Sequence, residues 1–160
     1  EQHCLLRKSC YANADKKIFF DLIKDSEQIW LTKNWTTVEV DFLHEFIKDI
    51  KKQTKAEVYI FGTKNFGRIE FAKYLNLSPE ERLLIRNVKG KDYIEINSYM
   101  KRELKDLNFV DLDTIYCQDH LCTIFDSKGD LLSFDNTHLT EEGAKFFGDK
   151  LSELLLSKTN

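Results

Sequence analysis

Apolar residues along the chain follow two different spacings, which together predict alternating strands and helices. Short β-branched and aromatic runs at 28–32, 57–62 and 109–112 predict buried strands. Between the first two runs, apolar residues recur at three- and four-residue steps, which predicts an amphipathic helix: Val38, Phe42, Leu43, Phe46, Ile47 and Ile50. Strands separated by helices imply a mainly parallel sheet with helices on both faces. The pattern therefore predicts the α/β class.

Capping signals predict further helices. Ser78 and Pro79, followed by two glutamates, are typical of a helix start, and another helix is expected over 97–106. Thr140 is predicted to cap the last helix, where glutamates complement the helix dipole. The expected apolar stripe of that helix is Ala144, Phe147, Leu151, Leu154 and Leu155. A turn is expected at 128–130, around Gly129.

Length and composition favour one packed domain over 1–160. The chain has 160 residues, 42% of them hydrophobic, with 12 Phe. Only three strands are evident, fewer than a doubly wound sheet normally has, and the first 15 residues resemble a loop. We therefore expect an α/β domain whose opening strand is missing from this chain.

Charge and hydropathy exclude two classes of partner. The net charge of −3 argues against nucleic-acid binding, which usually needs a basic surface. No apolar run approaches the roughly 18 residues of a membrane span, and the N-terminus lacks a signal-peptide pattern. We expect any anchor or secretion signal to lie outside this chain.

Four cysteines form two close pairs, Cys4 with Cys10 and Cys117 with Cys122. Two short-loop disulfides are the favoured interpretation, and they indicate an oxidising compartment. Zinc is the alternative, since His3 and His120 lie beside the pairs, but five residues separate Cys4 from Cys10, which is longer than the usual zinc-ligand spacing. The other two disulfide pairings stay open.

The candidate chemistry lies in Asp135, three residues before His138. Asp135 is placed to accept a hydrogen bond from one imidazole nitrogen, which leaves the other nitrogen to take a proton from a hydroxyl nucleophile. A helix-terminal Asp and a surface His are the alternative. His44, beside charged residues in a predicted helix, is expected to be structural or exposed, as are the two histidines beside the cysteines.

The block from Asp135 through His138, Leu139 and Thr140 to Gly143 and Ala144 resembles the C-terminal block of SGNH (GDSL-like) hydrolases. With the preceding Cys117–Cys122 loop and the Gly129 turn, it resembles the extracytoplasmic SGNH domain fused to acyltransferase family 3 membrane proteins. The resemblance implies a three-layer α/β/α sandwich (SGNH/flavodoxin-like).

The resemblance also implies a catalytic serine in a Gly-Asp-Ser turn after the first strand. No serine here has that context, so we expect the nucleophile to precede Glu1. The family's oxyanion-hole asparagine is matched by Asn34 after the first strand, although the usual Gly-x-Asn-Asp is absent and a loop-capping asparagine is the alternative. Trp35 is a candidate for stacking on a sugar or for the core. Gly62 and Asn65 are expected to line the cleft, unless Gly62 simply ends its strand.

The implied function is O-acetylation of bacterial surface glycans, such as lipopolysaccharide or capsule, by a Ser-His-Asp triad. The implied partners are the glycan acceptor and an acyl donor delivered by a membrane acyltransferase domain. That domain would tether the chain at the periplasmic or extracytoplasmic face of the inner membrane. No metal or cofactor is implied. The alternatives are a carbohydrate acetyl-esterase, which uses water as acceptor, and a non-catalytic glycan-binding domain.

Overall fold

The computed structural model describes residues 13–156. Its helices are α1 (Asn13–Ile23), α2 (Thr37–Gln53), α3 (Phe71–Tyr74), α4 (Pro79–Arg82), α5 (Lys91–Glu103), α6 (Asp113–Tyr116) and α7 (Glu141–Leu156). Its strands are β1 (Gln28–Leu31), β2 (Glu57–Phe61), β3 (Arg86–Val88), β4 (Asn108–Val110), β5 (Cys117–Gln118) and β6 (Leu121–Thr123). The described residues form two compact units: a sheet unit, 13–63 with 95–110, and a cleft unit, 64–94 with 111–156.

The sheet unit contains the predicted parallel sheet. Its strand order is β1-β2-β4, with Gln28 opposite Glu57 and Tyr59 opposite Asn108. The last four residues of β2 are buried, as expected for a central strand rich in β-branched and aromatic residues. The prediction of an α/β fold with a parallel sheet is confirmed.

Helix α2 packs its apolar side into the core of the sheet unit. A capping box begins the helix, because the Glu39 carboxylate accepts the backbone N–H of Thr36 at 3.0 Å. Leu43 and Ile50 are fully buried, whereas Val38 is 52% exposed and Phe42 36%. The predicted amphipathic helix is confirmed, and its buried side is centred on positions 40, 43, 47 and 50, so Val38 and Phe42 lie at its edge.

Helix α5 begins at Lys91, six residues before the predicted start at position 97. Asn97 lies inside the helix and is only 5% exposed. Its side chain bonds to Thr63 through three contacts of 2.8 Å: Oδ1 accepts the backbone N–H and the hydroxyl, and Nδ2 donates to the carbonyl. Asn97 therefore joins the middle of α5 to the segment that follows β2.

The cleft unit contains an antiparallel sheet with strand order β3-β6-β5, which no pattern in the sequence predicted. The turn between β5 and β6 places Asp119 and His120 in the left-handed region, at φ 49° and 66°. The hydrophobic core of the cleft unit is formed by Phe66, Tyr74, Tyr116, Cys122, Ile124, Phe125, Leu132 and Phe147.

Two predicted local signals in the cleft unit are confirmed. Ser78 caps α4 with a capping box, although this helix is only one turn long. Gly129 has a φ of 83° within the predicted turn. Within 13–156, no helix is both long and apolar enough to cross a membrane.

Candidate active site

Asp135 and His138 lie on the loop that leads into α7. The Oδ2 atom of Asp135 is 2.7 Å from Nδ1 of His138, so the hydrogen bond that the sequence predicts is present. The His138 side chain is 72% exposed and that of Asp135 is 42% exposed. The pair is thus preformed and open to solvent.

The charge of Asp135 is stabilised by the backbone of its own loop. Its Oδ1 atom accepts the N–H groups of His138 at 2.7 Å and Thr137 at 2.6 Å. These two backbone bonds, followed by the His138 side chain, lower the pKa of Asp135 to about 2. An ionised carboxylate only accepts hydrogen bonds, so Nδ1 of His138 carries the proton that it donates. The Nε2 atom is then left as the proton acceptor.

A buried serine organises the same loop from inside. Ser133 is fully buried, and its Oγ lies 2.8 Å from the carbonyl oxygen of Asp135 and 2.5 Å from that of His138. One hydroxyl has one proton to donate, so the two carbonyl groups share it. Ser133 therefore holds both ends of the Asp-x-x-His segment together.

The loop is also fixed where it enters α7. Thr140 caps the helix as predicted, since its Oγ1 accepts the N–H of Gly143 at 3.0 Å. A Cβ atom at Gly143 would lie 1.9 Å from the carbonyl oxygen of Leu132, so only glycine permits this approach. Ala144, which the sequence assigned to the buried stripe, is exposed, because Gly143 takes the position against Leu132.

Asp135 lines an open cleft of about 690 Å³ within the cleft unit. Asn65 and Phe134 also line it, and the backbone N–H of Phe66 donates to the carbonyl of Asn136 at 2.9 Å. The loop that follows Lys64 is thereby joined to the Asp-x-x-His loop. The complete lining is Asn65, Gly67, Arg68, Ile69, Val88, Gly90, Lys91, Asp92, Tyr93, Phe134, Asp135 and Asn136.

Asn65 is held in a defined orientation at the wall of this cleft. It is 2% exposed, and its Oδ1 atom accepts the N–H of Gly67 at 3.1 Å and that of Gly90 at 2.9 Å. Its own backbone N–H donates to the hydroxyl of buried Tyr116 at 2.8 Å. With Oδ1 committed to these two backbone groups, Nδ2 is the atom with which Asn65 can donate to a ligand.

Lys64 is a charged neighbour of Asp135 that no sequence motif indicated. Burial lowers the pKa of this half-buried lysine, and the negative charge of Asp135 acts in the opposite direction. The only hint in the sequence that Lys64 belongs to the site is its position directly before Asn65. Lysines are frequent throughout this chain, so that position did not distinguish it.

The sequence was compared with models of known protein families. Residues 4–153 match the family described as "SGNH domain (fused to AT3 domains)". The chain belongs to this family. The resemblance seen in the Asp135 to Ala144 block is thus confirmed over most of the sequence. No curated protein matches the chain.

A solved structure has the same fold as this SGNH domain. It is described as the periplasmic domain of the lipopolysaccharide acetyltransferase from Salmonella ser. Paratyphi A, and it aligns with a TM-score of 0.67 at 15% identity. The alignment covers 88% of this chain and 61% of the other, so the chain spans about three fifths of that structure. At this identity the likeness establishes the SGNH-type fold.

Three of the predicted site residues of this SGNH domain lie in the sheet unit. Asn34 is exposed in the loop after β1, and its role as an oxyanion donor stays a prediction. Trp35 is 7% exposed, and its indole N–H donates to the carbonyl of Phe61 at 2.8 Å. This favours the core alternative for Trp35. Gly62 is buried at the end of β2, where its N–H donates to the carbonyl of Val110, which favours the strand-terminating alternative.

None of the serines within 13–156 forms a hydrogen bond to the ring of a histidine. Ser133 is buried and committed to two carbonyl groups, and Ser78 caps α4. The others are Ser26, Ser98, Ser127 and Ser152.

The predicted Cys117–Cys122 disulfide is present, and it closes the β5–β6 hairpin. Cys4 and Cys10 lie outside the described residues, so their pairing stays a prediction. The described part of the chain contains no group of three or more His, Cys, Asp or Glu residues that could hold a metal ion.

Proposed function

We propose that this chain is the extracytoplasmic SGNH domain of a membrane O-acetyltransferase that acetylates hydroxyl groups of a bacterial surface glycan. The observation that carries the proposal is the preformed Asp135–His138 pair beside an open cleft, in a family whose members are fused to AT3 domains. The membrane domain would supply the acyl group and tether the chain. The disulfide in the β5–β6 hairpin supports an oxidising location outside the cytoplasm.

The proposed reaction starts from an acetyl-serine whose serine lies outside residues 1–160. The Nε2 atom of His138 takes the proton from a glycan hydroxyl as its oxygen attacks the acetyl carbonyl. The tetrahedral intermediate then collapses, its bond to the serine oxygen breaks, and the imidazolium returns the proton to that oxygen. Asp135 stabilises the imidazolium between the two steps.

Asn65 is the best-supported oxyanion donor within the cleft unit. Its amide is oriented by two backbone donors to Oδ1, so Nδ2 needs no reorganisation before it donates. One such preorganised donor commonly contributes about 3 kcal/mol to the transition state. Asn34 remains the second candidate for this role. Arg68, Asp92 and Tyr93 provide polar groups for orienting a sugar, in a cleft whose volume suits one or two rings.

Hydrolysis is the second candidate function. The 72% exposure of the His138 side chain lets water reach Nε2 as readily as a sugar hydroxyl. The same site would then act as a carbohydrate acetyl-esterase. The two functions differ only in the acceptor that the cleft admits.

The experiment is to follow a labelled acetyl group in membranes that contain the full-length protein. Label that appears on the surface polysaccharide supports the transferase. Label that appears only as free acetate, or release of acetate from acetylated glycan, supports the esterase. Binding of the glycan with neither product would replace both proposals with a non-catalytic binding domain.

A further inference from the structure

The aromatic ring of Phe134 lies parallel to the imidazole of His138. The two ring planes differ by 10°, and their centroids are 5.8 Å apart. Phe134 is 52% exposed and also lines the cleft. Single exposed aromatic residues are common on protein surfaces, so exposure alone carries no meaning. Its parallel contact with the candidate base distinguishes this one.

Asp135 does not by itself fix the plane of the imidazole. One hydrogen bond of 2.7 Å holds Nδ1, yet the ring can still rotate about the line joining the two atoms. A side chain that is 72% exposed has little other packing to oppose this rotation. A flat aromatic face against the ring restricts it and so fixes the direction in which Nε2 points.

The loop brings the two rings together through its own backbone contacts. Phe134 and His138 lie on either side of Asp135, and the hydroxyl of Ser133 bonds to the carbonyl groups of Asp135 and His138. Ser133 also pairs with Leu139 in an isolated antiparallel bridge. The stack is therefore part of a loop whose ends are fixed, rather than a chance contact of two mobile side chains.

We propose that Phe134 is a positioning residue for His138: it holds the imidazole plane and stabilises the imidazolium that forms when Nε2 takes a proton. This inference rests on the proposed role of His138 as the base. An aromatic face attracts a cation at an exposed site by about 0.5–1 kcal/mol, which corresponds to a two- to fivefold effect on rate. Because the contact acts on the base and not on the substrate, it changes kcat and leaves KM nearly unchanged.

The test uses the full-length protein with p-nitrophenyl acetate as the probe. Phe134→Leu keeps apolar bulk but removes the flat face, and we expect kcat to fall about two- to fivefold with little change in KM. Phe134→Tyr keeps the aromatic ring, so its kcat should stay close to the wild-type value. Phe71→Leu is the matched control, because Phe71 is 50% exposed at the start of α3 and does not line the cleft.

A spectroscopic measurement tests the contact without relying on catalysis. With histidine-selective labelling, the imidazole proton signals of His138 should move in Phe134→Leu, because a stacked ring shifts them, and should not move in Phe71→Leu. Unchanged signals, an unchanged kcat, or a raised KM at constant kcat would each overturn the proposal. A His138→Ala protein with wild-type kcat would instead reject the proposed function, while the altered signals would still establish the stack.

Discussion

The hydroxyl oxygen of buried Ser133 lies 2.5 Å from the carbonyl oxygen of His138. The same oxygen lies 2.8 Å from the carbonyl of Asp135, so one small side chain joins the two ends of the segment that holds the candidate acid–base pair. A serine near a histidine is easily taken for a nucleophile. Here its contacts give it a structural role.

Replacing Ser133 therefore tests the architecture of the loop. Ser133→Ala leaves two carbonyl groups without their donor, and we expect the free energy of unfolding to fall by roughly 1–3 kcal/mol. Denaturant unfolding measures this, with Ser98→Ala on the exposed side of α5 as the control. Unchanged stability combined with complete loss of activity would contradict the structural role and would indicate a nucleophile.

Asp135→Asn tests how the carboxylate sets the tautomer of His138. The amide oxygen can still accept the N–H groups of Thr137 and His138, which keeps the loop intact. Its NH₂ group then faces Nδ1 and forces the imidazole proton onto Nε2, so the base is lost. We expect acetyl transfer to fall on the order of 10²- to 10⁴-fold. Asp130→Asn, at an exposed turn, is the control, and a fall of less than about threefold would contradict the assignment.

The low pKa of Asp135 predicts its behaviour in acid. Because the pKa in the folded state, about 2, lies below the ordinary value of 3.8, this group stabilises the fold fully above pH 3.8. That contribution is lost as the pH falls toward 2. Carboxyl carbon NMR shifts should show Asp135 titrating near pH 2, so it sets no limb of the pH–rate profile above pH 4. Titration near pH 4 would mean that the backbone hydrogen bonds are absent.

Two glycines of α7 provide a matched test of the junction between the loop and the helix. A Cβ at Gly143 meets the carbonyl oxygen of Leu132 at 1.9 Å, whereas a Cβ at Gly148 meets nothing within 4 Å. Gly143→Ala should lower the free energy of unfolding by about 2 kcal/mol or more, since backbone must move. Gly148→Ala should raise it by about 0.5–1 kcal/mol through helix propensity. Equal effects in denaturant unfolding would contradict the close approach.

Patterns that repeat along the chain predicted much of the fold. The strands β1 and β2 and the helix α2 each carry a run of apolar residues at one clear period. The cap at Thr140 and the Asp135–His138 hydrogen bond are local in sequence, so spacing alone indicated them. By contrast, β3, β5 and β6 have two or three residues each, too few for any period to be recognised.

Several features of the sheet unit and the cleft unit depend on tertiary contacts and could not be predicted from the sequence. The place of Asn97 inside α5 goes with its bonds to Thr63, a partner 34 positions away. The orientation of Asn65 depends on the N–H of Gly90, which is 25 positions away. Trp35 packs in the core of the sheet unit, where the carbonyl of Phe61, 26 positions away, accepts its indole N–H. Each of these contacts joins residues far apart in the sequence, so no short motif indicates it.

In the proposed reaction, His138 is the base of a glycan O-acetyltransferase. The most direct measurement is the O-acetyl content of the surface polysaccharide in cells whose only copy of the full-length protein carries His138→Ala. His120→Asn is the matched control, because His120 is exposed and asparagine tolerates its left-handed backbone. At equal protein levels, we predict that His138→Ala abolishes O-acetylation and that His120→Asn leaves it unchanged. Wild-type O-acetylation in the His138→Ala cells would show that His138 is not the base.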